Sequence, residues 1–287
     1  MRLSRRLTAA AAAAVIVVGL SACSDSQAPS VEVEEPAEFP AGSTMAELAD
    51  AGTITIGTKF DQPLFGLVNP DGEPEGFDAE MGKLIAAKLG IAPQDIDWVE
   101  TVSANREPFI ENGQVDLVVA TYTINDARKE VISFAGPYYQ AGQDLLVLAG
   151  NPDGIEGPDD LADKAVCTVS GSTSEKNVQE YTTNIIATDT YSNCLEPLRN
   201  GEVQAVTTDN VILAGLADQN EGDFEVVNAP FTEEPYGIGL TKDDTEFREF
   251  INDTLQESYD DGTWAELWEK TAGTVLPTPE PPAIDRY

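Results

Sequence analysis

Val115–Tyr139 reads VDLVVATYTINDARKEVISFAGPYY, and its first six residues have a pattern typical of a buried strand in an α/β sheet. Its apolar run, Val115–Ala120, ends in hydroxyl residues at 121–123 and is followed by Arg128. The pattern predicts a buried strand whose end presents hydroxyl and backbone donors beside a fixed cation. Because arginine offers two parallel donors to a carboxylate, the stretch predicts a site for a small anion.

The chain as a whole is strongly acidic. It has 51 acidic and 16 basic residues, which gives a formal net charge of −35. Such a charge disfavours nucleic acid and anionic membrane surfaces as partners. An acidic protein that binds an anion has to gather its few cations in one place, so the site is expected where basic residues converge.

The first 22 residues have the features of a signal peptide. A basic start at Met1–Arg6 precedes an apolar run at Leu7–Leu20 that is too short to span a bilayer comfortably. The following Leu20–Cys23, LSAC, resembles the lipobox of bacterial lipoproteins, in which cleavage precedes the cysteine and its thiol receives a lipid such as palmitate. The alternative is an ordinary signal peptide cleaved at a small residue. No other apolar run is long enough for a transmembrane helix.

The remaining two cysteines suggest a disulfide. With Cys23 lipidated, Cys167 and Cys194 are the pair left in an exported protein, where thiols oxidise. A bond between them would close a loop of about 27 residues and stabilise the fold by roughly 3–4 kcal/mol on the chain-entropy model. The alternative is two separate buried thiols. Cysteines without any histidine argue against a metal site, and no cofactor is predicted.

Strand and helix signals alternate between residues 44 and 273, which predicts an α/β fold with largely parallel sheets. Residues 24–39 have the polar, proline-containing composition of a disordered tether, and the proline-rich residues 276–287 are predicted to be extended.

Capping residues mark several helix starts. Asp78 is predicted to cap a helix that ends at Gly90. Ser172 and Glu175 have the spacing of a capping box, and Asp209 is expected to begin another helix.

Five polar groups fall at predicted strand ends, where ligands bind in open α/β sheets. They are Lys59 with Phe60, the segment 101–106 with Arg106, the segment 121–128 with Arg128, the turn 169–175, and Asp209. Three cations and one anion match the two carboxylates and the ammonium of a dicarboxylic amino acid, with one cation to spare.

Simpler interpretations exist for each residue. For Lys59 the alternative is a solvated loop lysine, and for Arg106 it is a group that caps the helix surface or pairs with a neighbouring carboxylate. For Asp209, Ser172 and Thr173 the alternative is a helix cap alone, although capping and ligand binding are compatible.

Several segments resemble family 3 of the extracellular solute-binding proteins, the amino-acid receptors of ATP-driven (ABC) importers. The segments are Gly76–Asp78, Val115–Arg128, Gly136–Tyr139, Ser170–Thr173 and Tyr236–Leu240. They cover nearly all of the predicted folded part. Gly57–Pro63, GTKFDQP, together with the two cysteines is similar to the glutamate-binding lipoproteins of actinobacteria.

The resemblance implies a two-lobed, periplasmic-binding-protein-like fold of type II. Each lobe would be a mixed, mostly parallel sheet flanked by helices, with a two-strand hinge. The implied parts are a signal peptide at 1–22, lipidated Cys23 and a tether to 43, lobe 1 at 44–138 and 237–273, the hinge at 139–142 and 234–236, lobe 2 at 143–233, and a proline-rich tail at 274–287.

The resemblance also implies the ligand contacts. Arg128 would hold the α-carboxylate, Asp209 the α-ammonium and Arg106 the side-chain carboxylate, with Lys59 as a further cation. The remaining implied contacts are donors at Ala120, Thr121, Thr123, Ser172 and Thr173, and packing of Phe60 on the ligand stem.

The chain departs from the family pattern in two places. It lacks the histidine that some aspartate and glutamate receptors use, and Tyr191 is expected near that place. Pro197 interrupts a segment that is usually a regular helix, which puts the geometry after Cys194 in question.

The predicted function is an exported receptor, lipid-anchored on the extracellular face of the cell membrane. As a monomer it would bind glutamate or a related acidic amino acid and deliver it to an ABC permease. A receptor for glutamine or another polar amino acid is the alternative within this class. A dehydratase-like enzyme on the same fold and a sensory or adhesive lipoprotein are alternatives of other classes. Without histidine, and with its cysteines oxidised, the chain lacks the usual residues for nucleophilic or general-base chemistry, so no enzyme is predicted.

Overall fold

A computed structural model describes Val31, Val33 and residues 38–287 of the chain. The predicted signal peptide at 1–22, the lipidation site at Cys23 and most of the tether lie outside these residues. Among the described residues, no helix combines the length and apolar character needed to cross a bilayer.

The described residues form short strands and helices that alternate along the chain. The strands are β1 Ile54–Thr58, β2 Asp61–Gln62, β3 Gly66–Val68, β4 Pro74–Glu75, β5 Ile96–Glu100, β6 Leu117–Val118, β7 Ser133–Ala141, β8 Gln143–Leu148, β9 Val166–Val169, β10 Ile185–Thr188, β11 Ala205–Asp209, β12 Phe224–Val226 and β13 Glu234–Leu240.

The helices include both α-helices and 3-10 turns. The α-helices are α1 Thr44–Ala51, α2 Phe77–Lys88, α3 Arg106–Glu111, α4 Asp126–Lys129, α5 Thr173–Val178, α6 Leu195–Arg199, α7 Asn210–Gln219, α8 Thr245–Asp261 and α9 Thr263–Lys270. The 3-10 turns are Pro93–Asp95, Ser103–Asn105, Pro158–Leu161, Tyr191–Cys194 and Ala272–Thr274.

Two five-stranded sheets organise the fold, and a small three-stranded sheet, β2-β3-β4, accompanies them. The first sheet has the order β5-β1-β6-β13-β7, with β1 parallel to β5 and β6 and β13 antiparallel to its neighbours. The second has the order β10-β9-β11-β8-β12, in which β8 is the antiparallel strand. The structure confirms the predicted α/β architecture of two lobes with mixed, mostly parallel sheets.

Two paired strands connect the lobes. Strand β7 lies in the first sheet and leads through Gly142 into β8 of the second, and β13 returns antiparallel to β7. Glu234 pairs with Ala141, and Tyr236 pairs with Tyr139. We propose that the lobe boundaries fall within this pair, at the residues expected from the sequence.

Aromatic side chains pack beneath the connecting strands. Tyr139 of β7 stacks on Trp268 of α9 with ring centroids 4.8 Å apart. The centroid of the Phe65 ring lies 6.2 Å from the ring centroids of both Tyr139 and Tyr236, in edge-to-face arrangements. Such pairs bury large apolar area and add stability beyond it, so this end of each strand is held firmly in lobe 1.

Asp78 does not cap its helix, so that prediction is wrong. Helix α2 begins after Gly76, whose φ of 121° suits glycine, and Gly90, with a φ of 78°, follows its end as expected. The buried Asp78 carboxylate accepts instead from the backbone N–H of Thr121 at 2.7 Å and from the hydroxyl of Tyr138 at 2.6 Å. It therefore fixes the loop after β6, which the sequence pattern did not indicate.

The cysteines form the predicted disulfide. Cys167 of β9 is bonded to Cys194, with the two Cα atoms 5.6 Å apart. The bond ties the turn Tyr191–Cys194 to the second sheet. Pro197 is the third residue of α6, in the first turn, where its missing N–H breaks no helical hydrogen bond. The helix therefore forms despite the proline.

Candidate functional site

A polar cavity lies between the two lobes. It measures about 220 Å³ when counted with its open mouth. Its walls come from both sheets: Ser103, Arg106, Thr121 and Thr123 on lobe 1, and Ser172, Thr173, Ser174, Tyr191, Thr208, Asp209 and Ile212 on lobe 2. Most of these residues follow strand ends, as expected for a ligand site in an open α/β sheet.

The cavity brings six of the sequence-predicted residues together: Arg106, Thr121, Thr123, Ser172, Thr173 and Asp209. Lys59, Ala120 and Arg128 are not among the lining residues, but each is one hydrogen bond away from one of them. Phe60, expected to pack on the ligand stem, is half-buried and is also not a lining residue.

Arg106, the first residue of α3, is buried in the lobe 1 wall, so it is not the surface group that was the simpler interpretation. Its guanidinium donates to the carbonyls of Ser103 at 3.3 Å and Ala120 at 3.1 Å, and lies 4.2 Å from the centroid of the Tyr122 ring. Burial, with nearby Arg128 adding to it, lowers the pKa of Arg106 to about 10. The group is therefore still charged at neutral pH.

Lys59 is likewise buried, with 3% of its surface exposed, so it is not a solvated loop lysine. Its ammonium donates to the hydroxyl of Ser103 at 3.0 Å. Burial lowers the pKa of Lys59 to about 7, and the positive charge of Arg106 contributes in the same direction. A bound anion would restore the charged form, because an opposite charge nearby favours it.

Lys59 and Arg106 share an electrostatic feature. In the part of the chain that the structure describes, neither lies within 4.0 Å of a carboxylate oxygen. Buried charges in proteins are ordinarily paired, because an unpaired one costs several kcal/mol. The lobe 1 wall therefore carries positive charge that a ligand can neutralise.

Arg128 joins the two lobes. Its guanidinium donates to Glu107 at 2.9 Å, to the carbonyl of Thr123 at 2.7 Å, and across the cavity to the carbonyl of Gly171 at 3.2 Å. Its donors are thus shared among acceptors of the protein, one of them a carboxylate. A ligand carboxylate at this edge would meet a guanidinium already held in place.

Thr121 has strained backbone, with a φ of 44°. The strain is held by two hydrogen bonds: its N–H donates to Asp78, and its hydroxyl donates to Gln62 at 2.9 Å. Non-glycine residues with positive φ cluster at binding sites, where surrounding contacts determine the conformation.

The lobe 2 wall includes the start of α5. Ser172 caps this helix by accepting from the N–H of Glu175 at 2.9 Å, as predicted, but the Glu175 carboxylate accepts from Gly171 rather than closing the box on Ser172. The hydroxyl of Thr173 donates to Glu234 at 2.8 Å and lies 3.5 Å from the hydroxyl of Thr123 in lobe 1.

Asp209 is the acidic residue among those that line the cavity. It occupies the N-cap position of α7, but its side chain makes no capping bond; one oxygen accepts from the hydroxyl of Tyr236 at 2.6 Å and the other is buried without a partner. Burial, and secondarily the nearby charge of Glu234, raises the pKa of Asp209 to about 7. An ammonium on a ligand would satisfy the free oxygen and favour the ionised form.

This shifted pKa predicts a pH-dependent stability in the absence of ligand. Folded Asp209 holds a proton that the unfolded chain releases between a pKa of 3.8 and about 7, so the free energy of unfolding falls as pH rises through this range. We expect Asp209→Asn to raise Tm at pH 8 by roughly 4 °C or more, since 1 kcal/mol corresponds to roughly 2–4 °C in a chain of this size. At pH 4 its Tm should match the unmodified protein. Calorimetric scans at both values, with the exposed Asp97→Asn as control, measure this, and an equal gain at both pH values would contradict it.

Four lining residues had no assigned role in the sequence analysis: Ser103, Ser174, Thr208 and Ile212. A fifth lining residue, Tyr191, was expected only to lie near the place of the missing histidine. Ser103 and Thr208 adjoin strand ends that were already identified, so proximity to Arg106 and Asp209 was an available signal. Tyr191 is buried with its hydroxyl near those of Ser172 and Thr208, and burial raises its pKa. Nothing in the sequence marked Ile212 as a site residue, since its helical spacing indicates only a helix.

Comparison with known proteins gives matches over most of the chain. The model of the bacterial extracellular solute-binding proteins, family 3, matches residues 54–274. Glutamate-binding protein GluB of Corynebacterium efficiens is 40% identical over 285 residues, which span 95% of this chain and 92% of that protein. The ABC transporter glutamine-binding protein GlnH of Bacillus subtilis is 37% identical over 231 residues, spanning 79% of this chain and 84% of that protein. A solved structure of an ancestral arginine-binding protein bound to glutamine has a TM-score of 0.72 at 34% identity, and the match covers 77% of this chain and 97% of that one.

Proposed function

Because the chain belongs to the bacterial extracellular solute-binding proteins, family 3, we propose that it is a receptor for an acidic amino acid, with glutamate as its ligand. Membership makes it an exported solute-binding protein and not an enzyme. The finer claim concerns the ligand, and the chemistry of the cavity supports it.

The observation that carries the proposal is the pair of buried cations, Lys59 and Arg106, for which the described residues supply no carboxylate partner. Their chain has a net charge of −35, so cations are scarce and carboxylates are plentiful. Two cations left without carboxylate partners at one wall of a cavity indicate that the neutralising charge comes from the ligand. A ligand with a second carboxylate supplies it.

Asp209 on the lobe 2 wall and Arg128 at the edge of lobe 1 complete the match. Asp209, with an unpartnered oxygen, would accept from the α-ammonium, and Arg128 would donate to the α-carboxylate. Arg106 and Lys59 would then hold the side-chain carboxylate, while donors at Ala120, Thr121, Thr123, Ser172 and Thr173 complete the shell. Charge-assisted bonds of this number are compatible with a micromolar affinity, which requires about 8 kcal/mol net.

A glutamine receptor is the alternative that the comparisons keep in view, since one relative binds glutamine by its name. Lys59 can discharge near neutral pH, because its pKa is about 7, and a neutral Lys59 would tolerate an amide. Arg106 cannot discharge in this way. The charge on Arg106 therefore decides between the two ligands.

Anchoring and delivery are further parts of the proposal. We propose that Cys23 is lipidated after cleavage at residue 22, that the protein stays on the outer face of the cell membrane as a monomer, and that it passes its ligand to an ABC permease. Loss of membrane association in a Cys23→Ser variant, together with loss of glutamate uptake when the gene is deleted, tests both steps. Unchanged uptake in the deletion strain would favour a sensory or adhesive role.

Arg106 provides the decisive test of ligand identity. We expect Arg106→Gln to weaken glutamate binding by about 30-fold, because a buried charge pair is worth 2–5 kcal/mol when one partner is removed. Glutamine should lose about threefold at most, since its amide forms no ion pair there. Calorimetric titration of both ligands measures the two effects, with the exposed Arg199→Gln of lobe 2 as control. Equal losses for the two ligands, or none for glutamate, would reject the assignment.

A further inference from the structure

The last residues of the chain lie against lobe 1. Ile284 packs on the main hydrophobic core, and Asp285, Arg286 and Tyr287 make polar contacts with three separate elements. This segment, Ile284–Tyr287, lies beyond the residues 54–274 that match the family. The sequence predicted only an extended proline-rich tail here.

The segment first covers the free edge of β7, the last strand of its sheet. The N–H of Phe134 donates to the hydroxyl of Tyr287 at 2.9 Å, and the carbonyl of Gly136 accepts from the N–H of Asp285 at 2.8 Å. These two β7 groups point outward from the sheet, where an edge strand otherwise leaves its hydrogen-bonding groups unpaired.

The segment then holds α4. Lys129, the last residue of α4, donates to the carboxylate of Asp285 at 3.0 Å, and its ammonium lies 3.9 Å from the centroid of the Tyr287 ring. The carbonyl of Lys129 accepts from the ammonium of Lys242. Lys129 follows Arg128 directly, so the segment contacts the residue next to the arginine that is predicted to hold the ligand α-carboxylate.

Contacts with α8 fix the segment itself. Arg286 pairs with Glu249 at 2.6 Å and with Asp253 at 2.7 Å. Arg248 lies 4.3 Å from the centroid of the Tyr287 ring and also donates to the carbonyl of Tyr287. Four basic residues, Lys129, Lys242, Arg248 and Arg286, thus meet at this corner of a chain that has only 16.

We propose that Ile284–Tyr287 is a positioning segment for ligand binding: it holds α4 against lobe 1 and so keeps the guanidinium of Arg128 aligned for the ligand α-carboxylate. The inference rests on the proposed function, because it assigns the segment a role at the same site. Its physical basis is the length of α4. A helix of four residues is not stable by itself and depends on tertiary contacts at its ends.

At the beginning of α4, the side chain of Asn125 accepts from the N–H of Arg128 at 3.0 Å. At its end, the contacts of Lys129 with the segment serve the same purpose. Removing the Tyr287 ring takes away both its cation contacts and its hydrogen bond to β7. Without this support for α4, the guanidinium of Arg128 leaves its hydrogen-bond partners more often. Ligand binding then has to order the guanidinium again, which weakens the affinity.

The test compares Tyr287→Ala with Tyr181→Ala, a half-buried tyrosine of lobe 2 whose ring contacts Phe231. Hydrogen–deuterium exchange of peptides covering residues 125–132 reports on α4, because five N–H groups at residues 128–132 are hydrogen-bonded there. We expect faster exchange in these peptides for Tyr287→Ala only. By calorimetry, glutamate and glutamine should both bind about fivefold more weakly, since the α-carboxylate is common to them.

A double-mutant cycle with Arg128→Lys separates positioning from general destabilisation. If the segment acts through Arg128, Tyr287→Ala should add little to the loss that Arg128→Lys causes alone. Additive losses, unchanged affinity, or unchanged exchange at 125–132 would each overturn the inference. Should the unmodified protein bind no amino acid at all, the proposed function fails, while the exchange data still show whether the segment holds α4.

Discussion

Replacing Arg128 with alanine is expected to weaken glutamate binding by about 1,000-fold, because loss of one partner from a buried charge pair costs 2–5 kcal/mol or more. The guanidinium is buried, contacts Glu107 and the carbonyl of Thr123, and reaches across to Gly171 on lobe 2. Alanine therefore removes the α-carboxylate partner and a bond between the lobes at once. It also leaves Glu107 unpaired near the ligand, where a second negative charge repels an acidic amino acid.

Calorimetric titration with glutamate measures this loss. Arg199→Ala is the matched control, since Arg199 pairs with Glu196 and Asp223 on the exterior of lobe 2. The control should bind like the unmodified protein, and both variants should retain the circular dichroism of a folded chain. An Arg128→Ala affinity within tenfold of the unmodified protein would show that the α-carboxylate is held elsewhere.

A second large effect on glutamate binding is expected from Gly171→Ala, because Gly171 of lobe 2 lies close to the backbone of lobe 1. Gly171 has a φ of 76°, and a Cβ atom built there would lie 2.8 Å from the Cα atom of Ala104 in lobe 1. Backbone cannot move aside as a flexible side chain can, so the lobes have to separate. Separation breaks the bond from Arg128 to Gly171 and draws Thr173 away from Thr123. We expect glutamate to bind about 100-fold more weakly, about 2.7 kcal/mol.

Gly201→Ala is the control for backbone strain. Gly201 lies in the same lobe with a φ of 79°, but no atom lies within 4 Å of a Cβ built there. Both variants thus carry the cost of a left-handed alanine, and only one obstructs closure. Calorimetry gives the affinities, and X-ray scattering in the presence of glutamate should show a larger radius of gyration for Gly171→Ala alone. Equal affinities for the two variants would mean that this contact does not limit closure.

These two expectations describe one mechanism. Ligand can shift the balance between open and closed lobes only by as much as it binds the closed form better. Arg106 and Thr121 of lobe 1 line one cavity with Thr173 and Asp209 of lobe 2, and we propose that this arrangement is the closed form. A ligand that bridges the two walls makes its full set of bonds only there, so binding and hinge closure are coupled.

Much of the fold and part of the site were accessible from local pattern. Alternating apolar runs and capping residues predict an α/β chain, because period and turn chemistry are properties of short segments. The strand-end rule located Arg106 and Asp209, since carboxyl ends of parallel strands meet at one edge. It also pointed to Lys59, which proved to be one hydrogen bond from the cavity wall. Local pattern predicted the wrong role for Asp78, because its hydrogen-bond partners Thr121 and Tyr138 are more than 40 residues away along the chain.

The sequence by itself determined the class of the protein, the scarcity of its cations and the residue types at its strand ends, because these depend on composition and on neighbours along the chain. Tertiary structure alone decided that Lys59 and Arg106 are buried with no carboxylate partner among the residues that the structure describes, that Arg128 reaches Gly171, and that the final residues pack beside α4. Each of these depends on groups that are far apart in the chain and are brought together only when the sheets and lobes assemble. Burial then shifts pKa values and removes water, which no local pattern encodes.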